Sequence, residues 1–264
     1  MLRPVGSEGY VLVVMPPVVL WKVQVGMAQH VTVPQYSRAG IAAIWAAAAL
    51  PMALLSWVVV PWFKGSLGDE SPLAKALLLS LTAGLIWQFV LVVVLVAREQ
   101  GTLRWSLVRQ ALWLRAPRDP KTGRSGGRVW LWLLVFMVAF GLLQELPLTL
   151  PAPSQRDLGE FLQTDASKDL FRGAWGWFAV VVMLAVFNTV LGEELLFRGL
   201  LLPRMRGAFG RADWLANGVL TGLYHLHLPW AIPSSVVAGL IFSFPSRRFE
   251  SALMGILVHS AQSV

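Results

Sequence analysis

An all-α membrane protein, a polytopic transmembrane helical bundle of about seven membrane helices (six to eight), is the fold class that three observations predict. Of 264 residues, 56% are hydrophobic and 14% charged, with a mean hydropathy of +0.62. A soluble domain carries nearer a quarter charged residues. The apolar residues also gather in runs of about 20, long enough as helix to cross roughly 30 Å of hydrocarbon. Many of the 13 tryptophans stand at the ends of these runs, among them Trp62, Trp105, Trp113, Trp130, Trp175, Trp177, Trp214 and Trp230, where indole favours the membrane–water interface. The expected location is a bacterial plasma membrane, crossed several times.

Taken in order, Tyr10–Trp21 is apolar but short and is broken by Pro16 and Pro17; it is expected to lie at the interface or to be irregular. No cleavable signal peptide is expected there, because Gly6 and Glu8 follow the single Arg3. Ala39–Phe63 and Ala74–Ala97 are the first two spans, joined by a turn holding Gly65, Gly68, Asp69 and Glu70. Arg98–Arg128 carries Arg98, Arg104, Arg109, Arg115, Arg118, Lys121, Arg124 and Arg128 against Glu99 and Asp119, so the positive-inside rule makes it cytoplasmic. Its stretch Leu103–Trp113 mixes basic and bulky apolar residues at helical spacing, as a segment lying on an anionic inner leaflet would; a solvated basic loop is the alternative.

Val129–Leu146 then runs outward to a proline-containing loop, Pro147–Arg172, with Asp157, Glu160, Asp165 and Asp169. Trp175–Phe197 returns inward, and Arg198, Arg204, Arg206 and Arg211 follow it. Asp213–Leu228, Ala231–Pro245 and Glu250–Val264 are shorter apolar segments, expected to tilt or to pack inside the bundle. There is no internal repeat and no low-complexity tract. Two parts are expected: 1–128, holding the N-terminal membrane segments and the basic loop, and 129–264, a catalytic membrane core. The last helix ends only five residues after His259, so a natural chain extending further is expected.

A net charge of +8 would suggest nucleic acid in a soluble protein. Here the basic residues sit in loops where they set topology, so no nucleic-acid partner is expected. The absence of cysteine removes disulfides, thiolate nucleophiles and cysteine–zinc sites.

The chemistry-bearing residues gather near Glu193-Glu194-Leu195-Leu196-Phe197-Arg198-Gly199. Charge at membrane depth is costly and rarely tolerated without a partner or a function. Glu194 and Arg198, four apart, share a helix face and can pair. Glu193 points about 100° away and is free to face a cavity. A carboxylate in an apolar site holds its proton more tightly, as a general base working near neutral pH requires. An ion pair that only fixes helix packing is the plainer alternative.

His225, His227 and His259 lie in the last 40 residues. On a helix His225 and His227 would face roughly opposite ways, so only one could enter a site. His225 lies roughly 18 Å into the membrane and His259 roughly 13 Å; Glu193 lies roughly 16 Å in if its helix continues to Arg204, and about 8 Å if Arg198 marks the surface. Glutamate with two histidines can polarise a water. Glu193, His225 and His259 could hold a divalent metal such as zinc, or the glutamate could act as base with a histidine donating to an oxyanion and no cofactor. Both stay open, although His-Glu-x-x-His is absent.

At these residues the chain resembles the CPBP family of intramembrane proteases, which includes type II CAAX prenyl endopeptidases and bacterial bacteriocin-processing or Abi proteins. Glu-Glu-x-x-x-Arg followed by glycine matches Glu193, Glu194, Arg198 and Gly199. The Phe-x-x-x-His motif matches at His225, with Thr221 where phenylalanine is usual. A histidine followed four residues later by asparagine matches at His259, with Ser263 in place of asparagine. The resemblance covers Trp175–Val264. It implies that Glu193 activates the attacking water, Arg198 positions Glu194, His225 shares in water or metal binding, and His259 stabilises the oxyanion with Ser263 beside it.

The resulting expectation is an intramembrane endopeptidase, hydrolysing a peptide bond near the cytoplasmic face of a membrane-associated protein or peptide, prenylated or not. Membrane lipids and that substrate are its partners. Two rivals stand: a family member without activity that serves as a membrane scaffold or sensor, motivated by Thr221 and Ser263, and a transporter using the Glu/His cluster as a proton relay.

Overall fold

Helix α1, Arg38–Ser66, begins where Ser37 caps it, its Oγ accepting the Gly40 N–H at 3.1 Å. The computed structural model describes residues 33–68, 70–153 and 156–261. Readings made for Tyr10–Trp21 and Ser263 lie outside these residues. Pro51 inside α1 has no N–H to give the carbonyl of Ala47 one turn earlier. Trp87 of the next helix donates its indole N–H to that oxygen instead, at 2.8 Å. Helix α2, Pro72–Gln100, opens on proline and stops at Gly101, whose φ of 66° lets the chain turn off the helix.

The chain continues through α3 (Trp105–Ala111), α4 (Gly127–Gln144) and two short helices, α5 (Leu158–Leu162) and α6 (Asp165–Phe171). Then come α7 (Trp175–Arg204), α8 (Arg206–Phe209), α9 (Asp213–Leu223), α10 (Ile232–Arg248) and α11 (Ala252–Ser260). No β-strand forms among the described residues. Four helices, α1, α2, α4 and α7, are long and apolar enough to cross a membrane. Their outward residues are large and apolar, such as Leu54 and Val58 on α1, Leu134 and Val138 on α4, and Val182 and Val186 on α7. This is an integral membrane protein.

Length and hydropathy pick out these four helices and do not confirm the expected count of about seven. The three C-terminal helices have 11, 17 and 9 residues, and 11 residues reach only about 16 Å. They pack within the bundle, one of the two arrangements expected of them. Small residues permit this: Gly218 and Gly222, four apart on α9, lie against α10. A Cβ at Gly222 would be 2.5 Å from the Cα of Val236, and one at Gly218 would be 2.8 Å from the Leu240 nitrogen. Where lipid removes the usual apolar driving force, such close backbone approach is what holds helices together. Gly222→Leu is therefore expected to destabilise the protein by about 3 kcal/mol or more, read as a fall in the thermal midpoint in detergent micelles.

The bundle has two ends. At the basic end, Arg204 is fully buried and its Nε reaches both oxygens of Glu99, at 2.9 and 3.1 Å. Its Nη1 donates to the carbonyls of Ala111 and Leu200. The chain after α3 is strapped to this end rather than left as a solvated loop or laid wholly along a membrane surface. Leu112 and Trp113 are buried, the Ala252 N–H donates to the Trp113 carbonyl at 2.9 Å, and Arg118 N–H donates to Phe249. Of the large apolar residues in this stretch only Leu103 and Trp105 stay exposed, alongside the polar Arg104, Ser106, Arg109 and Gln110 of α3 and its start. At the other end, Arg156 donates to Ser56, Trp57 donates to the Leu226 carbonyl, and the Leu150 N–H donates to Trp230. These bonds tie the α1, α4–α5 and α9–α10 connections together.

Candidate active site

The acid pair sits where α7 departs from α-helical geometry. The helix is α-helical from Trp175 to Val186, then π-helical over Phe187–Leu191 and again over Leu195–Leu201. Each π turn holds an additional residue and redirects the side chains after it, which is why such turns recur at functional sites. Here they bracket Glu193 and Glu194. The helix nevertheless continues to Arg204, the condition under which the sequence puts Glu193 roughly 16 Å in.

Glu194 and Arg198 pair as their spacing predicts. Glu194 Oε1 lies 3.1 Å from Arg198 Nη1, and both side chains are wholly buried. Arg198 Nη2 also donates to the Gly239 carbonyl at 3.2 Å, tying α7 to α10. From α11, His259 brings Nδ1 to 3.0 Å from the same Glu194 oxygen, while its ring stacks on Phe242 at 4.8 Å and 18°. A carboxylate only accepts, so Nδ1 carries the hydrogen and Nε2 is the unengaged ring nitrogen. The close seat of α11 depends on Gly255. A Cβ there would meet Glu194 Oε2 and Ser246 Oγ, each at 2.8 Å. Gly255→Ala is expected to displace the Glu194–His259 pair and cost about 10²-fold in turnover, measured as the initial rate of peptide cleavage against wild type at equal folded protein.

Glu193 is 3% exposed. It makes no ion pair or side-chain hydrogen bond among the described residues, and it lines a cavity of about 530 Å3. Glu194, Thr221, His225, His227 and His259 line the same cavity. The two glutamates therefore do not diverge to separate surroundings. They share one cavity but not one set of partners.

The expectation for the histidine pair is corrected. Helix α9 stops at Leu223, so His225 and His227 leave the helix and do not face opposite ways. Their rings stack at 5.4 Å and 22°, both in the cavity wall. Pro229 was the available signal, since the residues before a proline leave the α-helical region. His225 Nδ1 lies 3.0 Å from the Thr221 carbonyl. That oxygen can only accept, so Nδ1 holds the hydrogen and the Nε2 lone pair is left available. Thr221 thus contributes its backbone, which any residue type could supply. Its Oγ1 merely returns to the Asn217 carbonyl at 2.9 Å.

A metal fits this arrangement poorly. Among the described residues no group of three His, Asp or Glu side chains is placed to hold an ion, although the bond to Glu194 leaves His259 Nε2 free. Glu193, His225 and His259 line one cavity without forming a ligand set.

Residues 175–264 match the protein family described as type II CAAX prenyl endopeptidase Rce1-like. Over that third of the chain the sequence is similar to the CPBP family of membrane proteases. No curated protein and no solved structure matches the chain. The matched stretch begins at the first residue of α7 and contains every side chain of the Glu194–Arg198–His259 chain as well as Glu193, His225 and His227.

Proposed function

We propose that this membrane protease is an endopeptidase in which Glu193 activates the attacking water. The observation that carries this reading is a buried glutamate without an ion-pair or hydrogen-bond partner among the described residues, in a cavity, beside a second glutamate held by Arg198 and His259. Glu193 takes a proton from water, and the oxygen so freed bonds to the carbonyl carbon of the scissile peptide. His225 Nε2 offers the same water a second acceptor. In its protonated form His259, held by Glu194, offers Nε2–H to the developing oxyanion, where a preorganised donor is worth most. Glu193 then returns the proton to the amine as the C–N bond breaks.

The cavity walls are mostly apolar, with Met52, Leu81, Leu85, Phe140, Leu143 and Leu184 among them. A substrate with apolar residues or a lipid group around the scissile bond suits them. The test is cleavage of a peptide library by purified protein in detergent, run in 18O-water. Direct attack by water places one 18O in the new carboxylate in the first turnover, and hydroxylamine traps no acyl-enzyme. Absence of cleavage over a broad library would favour a scaffold and overturn the enzyme reading.

A further inference from the structure

The cavity does not open toward the basic end. Its lining residues come mostly from the other half of each helix and reach no further toward the basic end than the glutamates on α7. On α7 they run from Val181 to Glu194, on α4 they are Phe140, Leu143 and Gln144, and on α10 they run from Ser234 to Phe242. Leu146, with Thr149, Leu158 and Leu162 of the Pro147–Arg172 connection, completes its rim. From Val181 to Glu193 the cavity follows α7 for roughly 18 Å.

Toward the basic end the site is closed. Leu196, Phe197, Arg198, Leu200, Leu201 and Leu202 are each wholly buried directly below the glutamates. Gly199 lies against the Leu112 backbone of the strap, 3.4 Å from where its Cβ would be. Beyond that layer stand the arginines of residues 98–128, together with Arg206, Arg211, Arg247 and Arg248. The rim's own connection, 147–172, has Arg156, Lys168 and Arg172 against Asp157, Glu160, Asp165 and Asp169. The positive-inside rule assigns the arginine-rich end to the cytoplasm.

We infer that the catalytic cavity is entered from the non-cytoplasmic side, and that its substrate is an apolar, membrane-anchored peptide segment presented at that face. This rests on the peptidase reading and revises the sequence expectation of cleavage near the cytoplasmic face. A soluble cytoplasmic C-terminus would have no path past the buried leucine layer.

The chain contains no cysteine, so single cysteines can report sidedness directly. Lys168→Cys on the rim connection, Ser235→Cys in the cavity wall and Thr122→Cys in the basic loop would be expressed separately. Cells stripped of any outer barrier would then be treated with a membrane-impermeant maleimide. Lys168→Cys and Ser235→Cys are expected to label in intact cells, and Thr122→Cys only after the membrane is opened. Labelling of Thr122→Cys in intact cells, with Lys168→Cys protected, overturns the inference.

A second arm uses sealed vesicles and a quenched-fluorescence peptide carrying an apolar stretch, added outside. Cleavage by right-side-out but not inverted vesicles is expected, and the reverse overturns the inference. No cleavage in either, or in detergent, would remove the peptidase reading while the labelling still decided the orientation.

Discussion

Glu193→Gln is expected to lower peptide-bond cleavage by about 10²–10⁴-fold, the usual worth of a positioned general base, with little change in folding. The amide keeps the size of the carboxylate but cannot accept a proton from water. Glu193 has no ion pair among the described residues, so the substitution strands no partner charge. The thermal midpoint in detergent should therefore stay near wild type or rise, because a buried charge is removed. The check is a paired measurement of initial rate and thermal midpoint. Equal rates for variant and wild type would leave the proposed mechanism without its base.

Arg198→Met is expected to have the largest effect on stability. Arg198 and Glu194 are both wholly buried at 3.1 Å. Removing one partner of such a pair leaves the other charge uncompensated, at about 3–5 kcal/mol. The loss should exceed that of Glu193→Gln even though both residues belong to one motif. Arg198 also donates to Gly239, so its loss loosens α7 from α10. The double variant Arg198→Met with Glu194→Gln should recover part of the stability, since no orphaned carboxylate remains, while staying inactive because His259 loses its anchor. Thermal midpoints of the three proteins in one detergent test this. Simple addition of the two single effects would mean that the pair is not energetically coupled.

How much of the site was legible depended on the range over which each contact acts. The Glu194–Arg198 pair was readable because four residues on a helix bring two side chains together whatever surrounds them. The apolar runs that became α1, α2, α4 and α7 were readable because crossing hydrocarbon demands length and hydropathy, both one-dimensional quantities. The π turns on either side of the glutamates were not, since a shift of hydrogen bonding by one residue leaves no compositional trace. His227 was set aside by extending α9 through Leu228, although Pro229 hinted that the helix ended earlier. The role of Gly255 appears only when α11 is laid against Glu194, because nothing local distinguishes a glycine that admits a carboxylate from one that merely loosens a helix.

By itself the sequence determined that the chain is helical and integral to a membrane, which end of it is basic, and which residues, Glu193, Glu194, Arg198, His225 and His259, are the candidates for its chemistry. Composition and spacing suffice for these, since burial in lipid and pairing within one helix are local requirements. Only the tertiary structure decided that His259 meets Glu194, that His225 and His227 stack in one cavity wall, and that the cavity extends away from the arginine-rich end. Those outcomes depend on which helices touch, on glycines that allow backbones to approach, and on a buried leucine layer that closes one side of the site.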